Sequence, residues 1–249
     1  MTQKFINMDL MKTLKILLHI LLVIPLCLFI FVSSKSQQDK VIQFWCKKLL
    51  SIFEVAVELK GVTENLFNQK KYLMVSNHVS WLDIIVIQSI KPSIFVAKSD
   101  VASWPLFGWV AQMTGTIFIR RDKVSDIKKA LKKMKRRLIK RSVCIFPEGT
   151  STNGRYVLPF KSNLFQSSID SNKSILPISI SYREANAYTD KVAFIDDMSL
   201  IDSIIKIKNG SHIKVIVDVM QPIRPRSNRK ELASYAHEMI QKSLSQNLS

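Results

Sequence analysis

The stretch SNHVSWLDI, residues 76–84, places a histidine and an aspartate five positions apart, just after an apolar run. A histidine that acts as a general base needs a partner, usually a carboxylate, to fix its tautomer and stabilise the imidazolium. In a continuous helix, side chains five positions apart project about 140° from each other, so His78 and Asp83 would not meet. They can meet if His78 lies in the turn after a strand and the helix begins near Ser80. Alternatively, Ser80 and Asp83 have the spacing of a capping box, and the stretch alone is then an ordinary helix start.

A second stretch with chemistry-bearing groups is FPEGTSTNGRYVLPFK, residues 146–161. It begins at the end of a predicted strand and continues into a glycine-containing loop. Glu148, Gly149 and Thr150 offer a carboxylate, exposed backbone N–H groups and a hydroxyl. The carboxyl edge of the sheet is where α/β proteins place ligands. The alternative is a plain turn at PEG.

The elements that must position these residues alternate from about Gly61 onward, with short apolar runs separated by helical stretches. Continuous apolar strands are expected where helices cover both faces of a sheet. The pattern predicts an α/β fold with a mainly parallel sheet flanked by helices, preceded by an N-terminal membrane-associated helical pair. The predicted strands are residues 72–76, 94–98, 116–120, 143–147, 175–181 and 213–220, and the last predicted helix covers 227–246 with Ser227 as its cap.

The N-terminal segment is apolar from Ile16 to Val32, interrupted only by a histidine and a proline. Seventeen helical residues span roughly 26 Å, which is marginal against a hydrocarbon core of about 30 Å. Residues 41–59 are predicted as a second helix. A single span, a hairpin in one leaflet, a cleaved signal peptide and a second helix that only packs on the globular part remain open. We predict a membrane-anchoring region at residues 1–60 and a second domain at 61–249.

The charge of the chain is strongly basic, since 37 Lys and Arg residues face 19 Asp and Glu residues, for a net charge of +18. Such a balance predicts a polyanionic neighbour, either an anionic membrane surface or nucleic acid. Residues 120–141 hold 12 Lys or Arg against two Asp, on one face of a predicted amphipathic helix. No aromatic residues alternate with these cations, so base stacking is unsupported and no nucleic acid is expected. A nucleic-acid- or partner-binding module tethered to a membrane stays as a distant alternative.

The three cysteines, Cys27, Cys46 and Cys144, are odd in number and lie in apolar contexts. Their spacing is neither metal-like nor redox-like. We therefore expect reduced, buried thiols in a reducing compartment, and no metal ligands.

Taken together, NHVSWLD, GTIFIRR, FPEGTS with PFK, and LPIS resemble, in order and spacing, the motifs of the glycerolipid acyltransferase superfamily. The likeness covers roughly residues 60–220 and is greatest to the bacterial 1-acyl-glycerol-3-phosphate acyltransferases. It implies an O-acyltransferase that moves a fatty acyl group from a thioester of coenzyme A or acyl carrier protein to the free hydroxyl of a lysolipid. The implied product is phosphatidic acid, made without metal or cofactor at the cytoplasmic face of a bacterial inner membrane.

The resemblance also implies roles for individual residues. His78 would be the general base and Asp83 its orienting partner. The substrate-binding residues that it implies are Lys98 and Arg121 near the acceptor phosphate, Glu148, Gly149 and Thr150 around the acceptor pocket, and Lys161 of PFK. A covalent acyl-serine route through Ser76 or Ser80 is the rival mechanism, but the chain has no G-x-S-x-G motif.

Two positions depart from the family pattern. Arg120 stands where many members have an aspartate, and Ser151 stands where many have an arginine directly after EGT. Losing that arginine removes a phosphate-matching guanidinium, so a lyso-aminolipid or a lysophospholipid with a larger head group is the alternative acceptor. Arg120, Arg155 or Lys161 could compensate.

Overall fold

The structure is a computed structural model that describes residues 2–62, 70–120, 123–210, 212–226 and 228–248, and only the backbone of residues 2–9. Arg121 and Ser227, named above, lie outside the described residues. The helices are α1 (Thr2–Leu21), α2 (Val23–Val32), α3 (Lys35–Ile52), α4 (Leu82–Ile90), α5 (Phe107–Met113), α6 (Val124–Lys140), α7 (Gln166–Ser171), α8 (Leu200–Lys208) and α9 (Arg229–Leu248). The strands are β1 (Val55–Gly61), β2 (Leu73–Ser76), β3 (Ile94–Lys98), β4 (Ile117–Ile119), β5 (Val143–Ile145), β6 (Ile175–Glu184), β7 (Ala187–Tyr188) and β8 (Ile213–Val219).

The eight described strands form one mixed sheet in the order β1-β8-β6-β2-β5-β3-β4, with β7 beside β6. Pairings on both sides of β2 and on both sides of β3 are parallel, whereas β6 runs antiparallel to β8 and to β7. The predicted α/β fold with a mainly parallel sheet is confirmed. Parallel neighbours end at the same edge, so the residues that follow β2, β5, β3 and β4 are brought side by side.

Each face of the sheet is covered by helices that bury a separate core. On one face, residues of α1, α3, α4 and α8 pack around Met74, Leu176 and Val217. On the other face, α6 and α9 pack around Leu73, Val75 and Ile145. This division is why the central strands read as continuous apolar runs.

The N-terminal helices form the predicted pair. The break between α1 and α2 falls at Leu22, and the chain turns at Ser33 and Ser34 into α3. Among the described residues, the stretch Leu10–Val32 is long and apolar enough to cross a membrane. His19 of α1 stacks on Trp45 of α3 at 5.0 Å between ring centroids, and the indole N–H donates to the His19 carbonyl at 3.1 Å. Helices α1 and α3 are therefore joined by a hydrogen bond inside an otherwise apolar interface.

Strand β1 corrects one sequence prediction. A single helix over residues 41–59 is wrong, because α3 ends at Ile52 and Glu54 reverses the chain with φ +60°. Val55 and Val57 alternate along a strand that pairs in parallel with β8, with Val55 opposite Ile213. Residues 41–59 are so rich in apolar side chains that the helical spacing of α3 and the alternating spacing of β1 look alike in the sequence. Part of the segment predicted to anchor the chain thus belongs to the sheet, and the domain boundary near residue 60 stays a prediction.

Candidate active site

The turn between β2 and α4 holds the histidine–aspartate pair. Because β2 ends at Ser76 and α4 begins at Leu82, His78 lies outside the helix and Asp83 lies in its first turn. His78 Nδ1 lies 2.9 Å from Asp83 Oδ2. An ionised carboxylate only accepts hydrogen bonds, so Nδ1 carries the proton and donates it. Nε2 is left with a free lone pair, as a general base requires.

The imidazole and the carboxylate differ in exposure. The His78 side chain is 21% exposed, whereas the Asp83 side chain is 0% exposed. One face of the imidazole stacks on Phe146 at 4.0 Å between centroids, with 14° between the ring planes. No hydrogen bond joins His78 Nε2 to any described residue. The His78 imidazole is thus partly accessible to solvent, whereas the Asp83 carboxylate that orients it is fully buried.

Asp83 accepts four hydrogen bonds. Its Oδ2 accepts from the backbone N–H groups of Val79 at 2.7 Å and Ser80 at 2.9 Å, besides His78. Its Oδ1 accepts from the Tyr182 hydroxyl at 2.7 Å. Ser80 Oγ in turn accepts from the Leu82 N–H at 3.3 Å. The predicted capping box forms only in part, since the Asp83 N–H donates to the Ser80 carbonyl and not to Ser80 Oγ. The carboxylate that accepts the Ser80 N–H also holds the imidazole.

Two residues of this network, Tyr182 and Asn77, were missed by the sequence reasoning. Tyr182 lies in β6 and is buried, and burial together with the Asp83 charge raises the pKa of its phenol. The Asn77 side chain donates to the carbonyl of Ile180 at 2.9 Å and accepts from its N–H at 2.8 Å. Two features of the sequence could have indicated these residues. Asn77 is a polar residue beside His78 at the end of a predicted strand, and Tyr182 directly follows LPISIS.

Glu148 lies against the histidine turn. Both of its oxygens accept backbone N–H groups, Oε1 from His78 at 2.7 Å and Oε2 from Leu158 at 2.8 Å. Only 3% of the residue is exposed. Burial raises its pKa to about 7, against the opposing effect of the two N–H donors. In the described structure this carboxylate fixes the backbone of the histidine turn rather than facing an open acceptor pocket.

We expect Glu148→Gln to change how stability depends on pH. A raised carboxyl pKa means that the folded protein keeps a proton which the unfolded chain releases above its ordinary value of 4.5. The free energy of unfolding therefore falls as pH rises from about 4.5 to about 7, by roughly 1–3 kcal/mol from this group. Thermal midpoints of both proteins in detergent at pH 5, 6, 7 and 8 should show the wild type losing stability relative to the glutamine variant. A difference that stays constant over this range would contradict the assignment.

The remaining predicted substrate residues follow the ends of adjacent strands. Lys98 ends β3 opposite Ile119 of β4, so Arg120 comes next along the same edge. Both cations are exposed and paired, Lys98 with Asp100 and Arg120 with Asp126. The order β2-β5-β3-β4 brings His78, Glu148, Lys98 and Arg120 to one edge, with the predicted Arg121 lying outside the described residues.

The loop after β5 carries the other candidates. Gly149 adopts φ +85°, a conformation that glycine reaches without strain, and Thr150 is exposed. The Lys161 N–H donates to the Pro147 carbonyl at 3.0 Å, which holds PFK against PEG. Of the cations considered as replacements for the missing arginine, Arg155 stacks on Tyr188, 4.4 Å from the ring centroid. Its guanidinium is therefore directed to that ring.

An apolar cavity of about 170 Å³ lies between the N-terminal helices and the sheet-covering helices. Trp81 and Ile85, beside the histidine turn, form part of its wall, and Phe95 of β3 forms another part. The remaining lining comes chiefly from α1, α2, α3 and α5. Its apolar walls, which include Trp81 of the histidine turn, suit hydrocarbon.

Comparison with known proteins identifies the family. The family model described as Acyltransferase matches residues 56–181, about half of the chain. A lyso-ornithine lipid O-acyltransferase of Pseudomonas aeruginosa is 30% identical over 209 residues, covering 83% of this chain and 79% of that protein. The chain belongs to the acyltransferase family. It is an acyltransferase with an N-terminal helix suited to membrane association, as the motif resemblance predicted.

Two further relatives are named for a different acceptor, an acylated glycerol phosphate. A 1-acyl-sn-glycerol-3-phosphate acyltransferase of Haemophilus influenzae is 24% identical over 249 residues, covering 95% of this chain and 96% of that protein. The crystal structure of the 1-acyl-sn-glycerophosphate acyltransferase of Thermotoga maritima aligns with a TM-score of 0.73 at 22% identity, over 96% of both chains. This similarity shows that the acyltransferase shares the fold of that enzyme.

Proposed function

We propose that this acyltransferase moves a fatty acyl group from an acyl thioester to the free hydroxyl of a lysolipid. The observation that carries the proposal is the His78–Asp83 pair at 2.9 Å, with Nε2 unpartnered among the described residues and the histidine partly exposed. A base in this arrangement takes a proton from a substrate at the opening. The structure does not support a covalent acyl-serine route. Within the described part of the chain, Ser76 Oγ is buried without a hydrogen-bond partner, and Ser80 Oγ accepts a hydrogen bond from a backbone N–H.

The reaction follows from these positions. His78 Nε2 takes the proton of the acceptor hydroxyl as that oxygen attacks the thioester carbonyl, and the C–O bond forms. Asp83 stabilises the imidazolium, the C–S bond then breaks, and the proton is returned to the departing thiolate. Because a thioester is already activated, the proposal needs no metal or cofactor. Coenzyme A or acyl carrier protein would carry the acyl group.

The first acceptor that we propose is 1-acyl-glycerol-3-phosphate, which would give phosphatidic acid. Support comes from the cations on adjacent strand ends, Lys98 and Arg120, and from Lys161 in the neighbouring loop. Long cationic side chains at one edge can reach a phosphate held near the histidine. The apolar cavity beside Trp81 would hold a hydrocarbon chain.

The second acceptor is a lyso-ornithine lipid, and a specific observation favours it. Lys98 and Arg120 each pair with a carboxylate, so this edge carries charges of both signs. A zwitterionic head group with an amino and a carboxylate group matches such an edge better than a phosphate dianion does. Ser151, which replaces the family arginine, donates to the Phe194 carbonyl and adds no cation.

An acceptor panel tests the proposal. Purified protein in vesicles would receive an acyl thioester together with 1-acyl-glycerol-3-phosphate, lyso-ornithine lipid or lysophosphatidylethanolamine, and acylated products would be quantified by mass spectrometry. We expect turnover with one of the first two acceptors and a strongly reduced turnover with His78→Ala. Turnover with none of the three acceptors would refute the proposed function. We further propose that the reaction takes place at the cytoplasmic face of the membrane.

A further inference from the structure

Helix α8 exposes two large apolar side chains that the proposed reaction does not use. Ile201 is 69% exposed and Ile205 is 46% exposed, and their spacing of four places them on one helix face. The opposite face is buried, with Ser203 and Ile207 against the core. Sequence reasoning did not predict this helix. Helix α8 is therefore a surface helix whose outer face carries two apolar residues, Ile201 and Ile205.

The position of α8 is fixed by its contacts with the N-terminal region. At its end, Lys208 Nζ donates to Thr13 Oγ1 of α1 at 3.2 Å. At its start, Leu200 lines the apolar cavity together with Ile20. Helix α8 is therefore attached to α1 by one side-chain hydrogen bond at its end and borders the same cavity at its start.

Both helices expose apolar side chains away from the core that they share. Both helices direct their inner faces to the same core, α1 through Ile16 and α8 through Ile207. The outer face of α1 carries Leu14, Leu17 and Leu21, which are 47%, 54% and 57% exposed. Ile201 and Ile205 are exposed apolar residues on the helix that Lys208 joins to this stretch of α1.

We propose that α8 is a second bilayer-contacting element, which inserts Ile201 and Ile205 into the same lipid surface that covers the outer face of α1. The occupant is lipid rather than another protein, because Lys208 joins α8 to Thr13, within the stretch that is long and apolar enough to span a membrane. Lys206 and Lys208, in the last turn, suit the anionic head-group layer. This inference rests on membrane association and not on the identity of the acceptor.

The buried face of α8 contacts the histidine turn. The indole N–H of Trp81 donates to Ser203 Oγ at 2.9 Å, and Trp81 lies between His78 and Asp83 in the chain. The segment before α8 adds a second contact, since the Phe194 N–H donates to the Val79 carbonyl at 2.9 Å. Lipid contact through α8 would thus hold the opening of the site at the bilayer surface, where a lysolipid acceptor resides.

A labelling experiment tests the contact directly. Ile205→Cys in the full chain would be labelled with the environment-sensitive fluorophore NBD and reconstituted in phosphatidylethanolamine–phosphatidylglycerol vesicles. Ile139→Cys is the matched control, because Ile139 is 63% exposed on α6, on the other side of the sheet. The three native thiols are buried, so wild type treated in parallel gives the background. We expect a blue-shifted emission quenched by doxyl-labelled lipid at position 205, and quenching by aqueous iodide at position 139.

Two outcomes would overturn the proposal. One is equal iodide quenching at both positions in vesicles. The other is a blue shift at position 205 in detergent that grows with protein concentration, which would identify a second copy as the occupant. A double variant, Ile201→Glu with Ile205→Glu, should lower turnover of vesicle-borne acceptor several-fold and leave turnover of detergent-dispersed acceptor unchanged. Because the labelling arm needs no turnover, its failure is separable from failure of the proposed function.

Discussion

Replacement of His78 with alanine is expected to lower the turnover number for acyl transfer by about 10²–10⁴-fold, the usual contribution of a positioned general base. The imidazole is held by Asp83 on one nitrogen and by Phe146 on one ring face, so the other nitrogen has a fixed direction. No other imidazole among the described residues takes part in this network. The acceptor would still bind, so KM should change far less than the turnover number. Initial rates in vesicles with saturating thioester measure both quantities.

The control for His78→Ala removes an imidazole elsewhere. His212 is exposed just before β8 and adopts φ +49°, a conformation that asparagine tolerates. His212→Asn should therefore retain wild-type turnover. Membrane-bound amounts and thermal midpoints of both variants establish that they are folded. Near-normal turnover by folded His78→Ala would refute the general-base mechanism.

Asp83→Asn is expected to reduce turnover on the order of 10³-fold or more, by analogy with the loss of the orienting aspartate in a serine-protease triad. Every group that contacts the Asp83 carboxylate is a donor: two backbone N–H groups, the Tyr182 hydroxyl and His78 Nδ1. An asparagine has one oxygen and one NH₂ group. Its NH₂ can face the Tyr182 hydroxyl, which also accepts, while its oxygen keeps the two backbone N–H groups and His78 Nδ1. The substitution therefore removes the negative charge that stabilises the imidazolium.

Tyr182→Phe provides the graded comparison for Asp83→Asn. It removes one of four hydrogen bonds to the carboxylate and leaves the charge and the His78 contact in place. We expect a loss of about 10–100-fold at most, because one hydrogen bond to a charged group contributes about 1.5–3 kcal/mol. Activity measured from pH 5 to 9 separates positioning from general destabilisation, because a less neutralised Asp83 should move the acid limb to higher pH. Equal losses in Asp83→Asn and Tyr182→Phe would show that the charge of Asp83 contributes nothing.

The central strands and the histidine–aspartate geometry could be predicted because they depend on short-range patterns. Strand β2 is an uninterrupted apolar run, and its end fixes whether His78 lies in a turn or in a helix. The membrane-associated helix was equally visible in composition. Strand β1 could not be predicted in this way, because its apolar residues follow α3 without a glycine or proline between them. Its partner β8 also lies more than 150 residues away in the chain.

The polar contacts of the site depend on strands that are distant in sequence. Asn77 and Tyr182 meet the histidine turn only because β6 pairs with β2, with Ser76 opposite Ile178. The two backbone partners of Glu148 are likewise separated from it by 70 and 10 positions. Residue types alone predicted that Glu148 matters, but not that it would hold the backbone of the turn. Likewise, the carboxylate partners of Lys98 and Arg120 became visible only in three dimensions.

The attachment of the histidine turn to β6 at two points has a consequence for how this chain can vary in length. The Asn77 side chain forms two hydrogen bonds with the backbone of Ile180. Asp83 accepts a hydrogen bond from Tyr182, two residues further along the same strand. Side chains on a strand alternate between its faces, so inserting or deleting one residue between these points would turn the tyrosine to the opposite core. Length changes are therefore expected outside the segment from Ile180 to Tyr182, whose spacing is as constrained as that from His78 to Asp83.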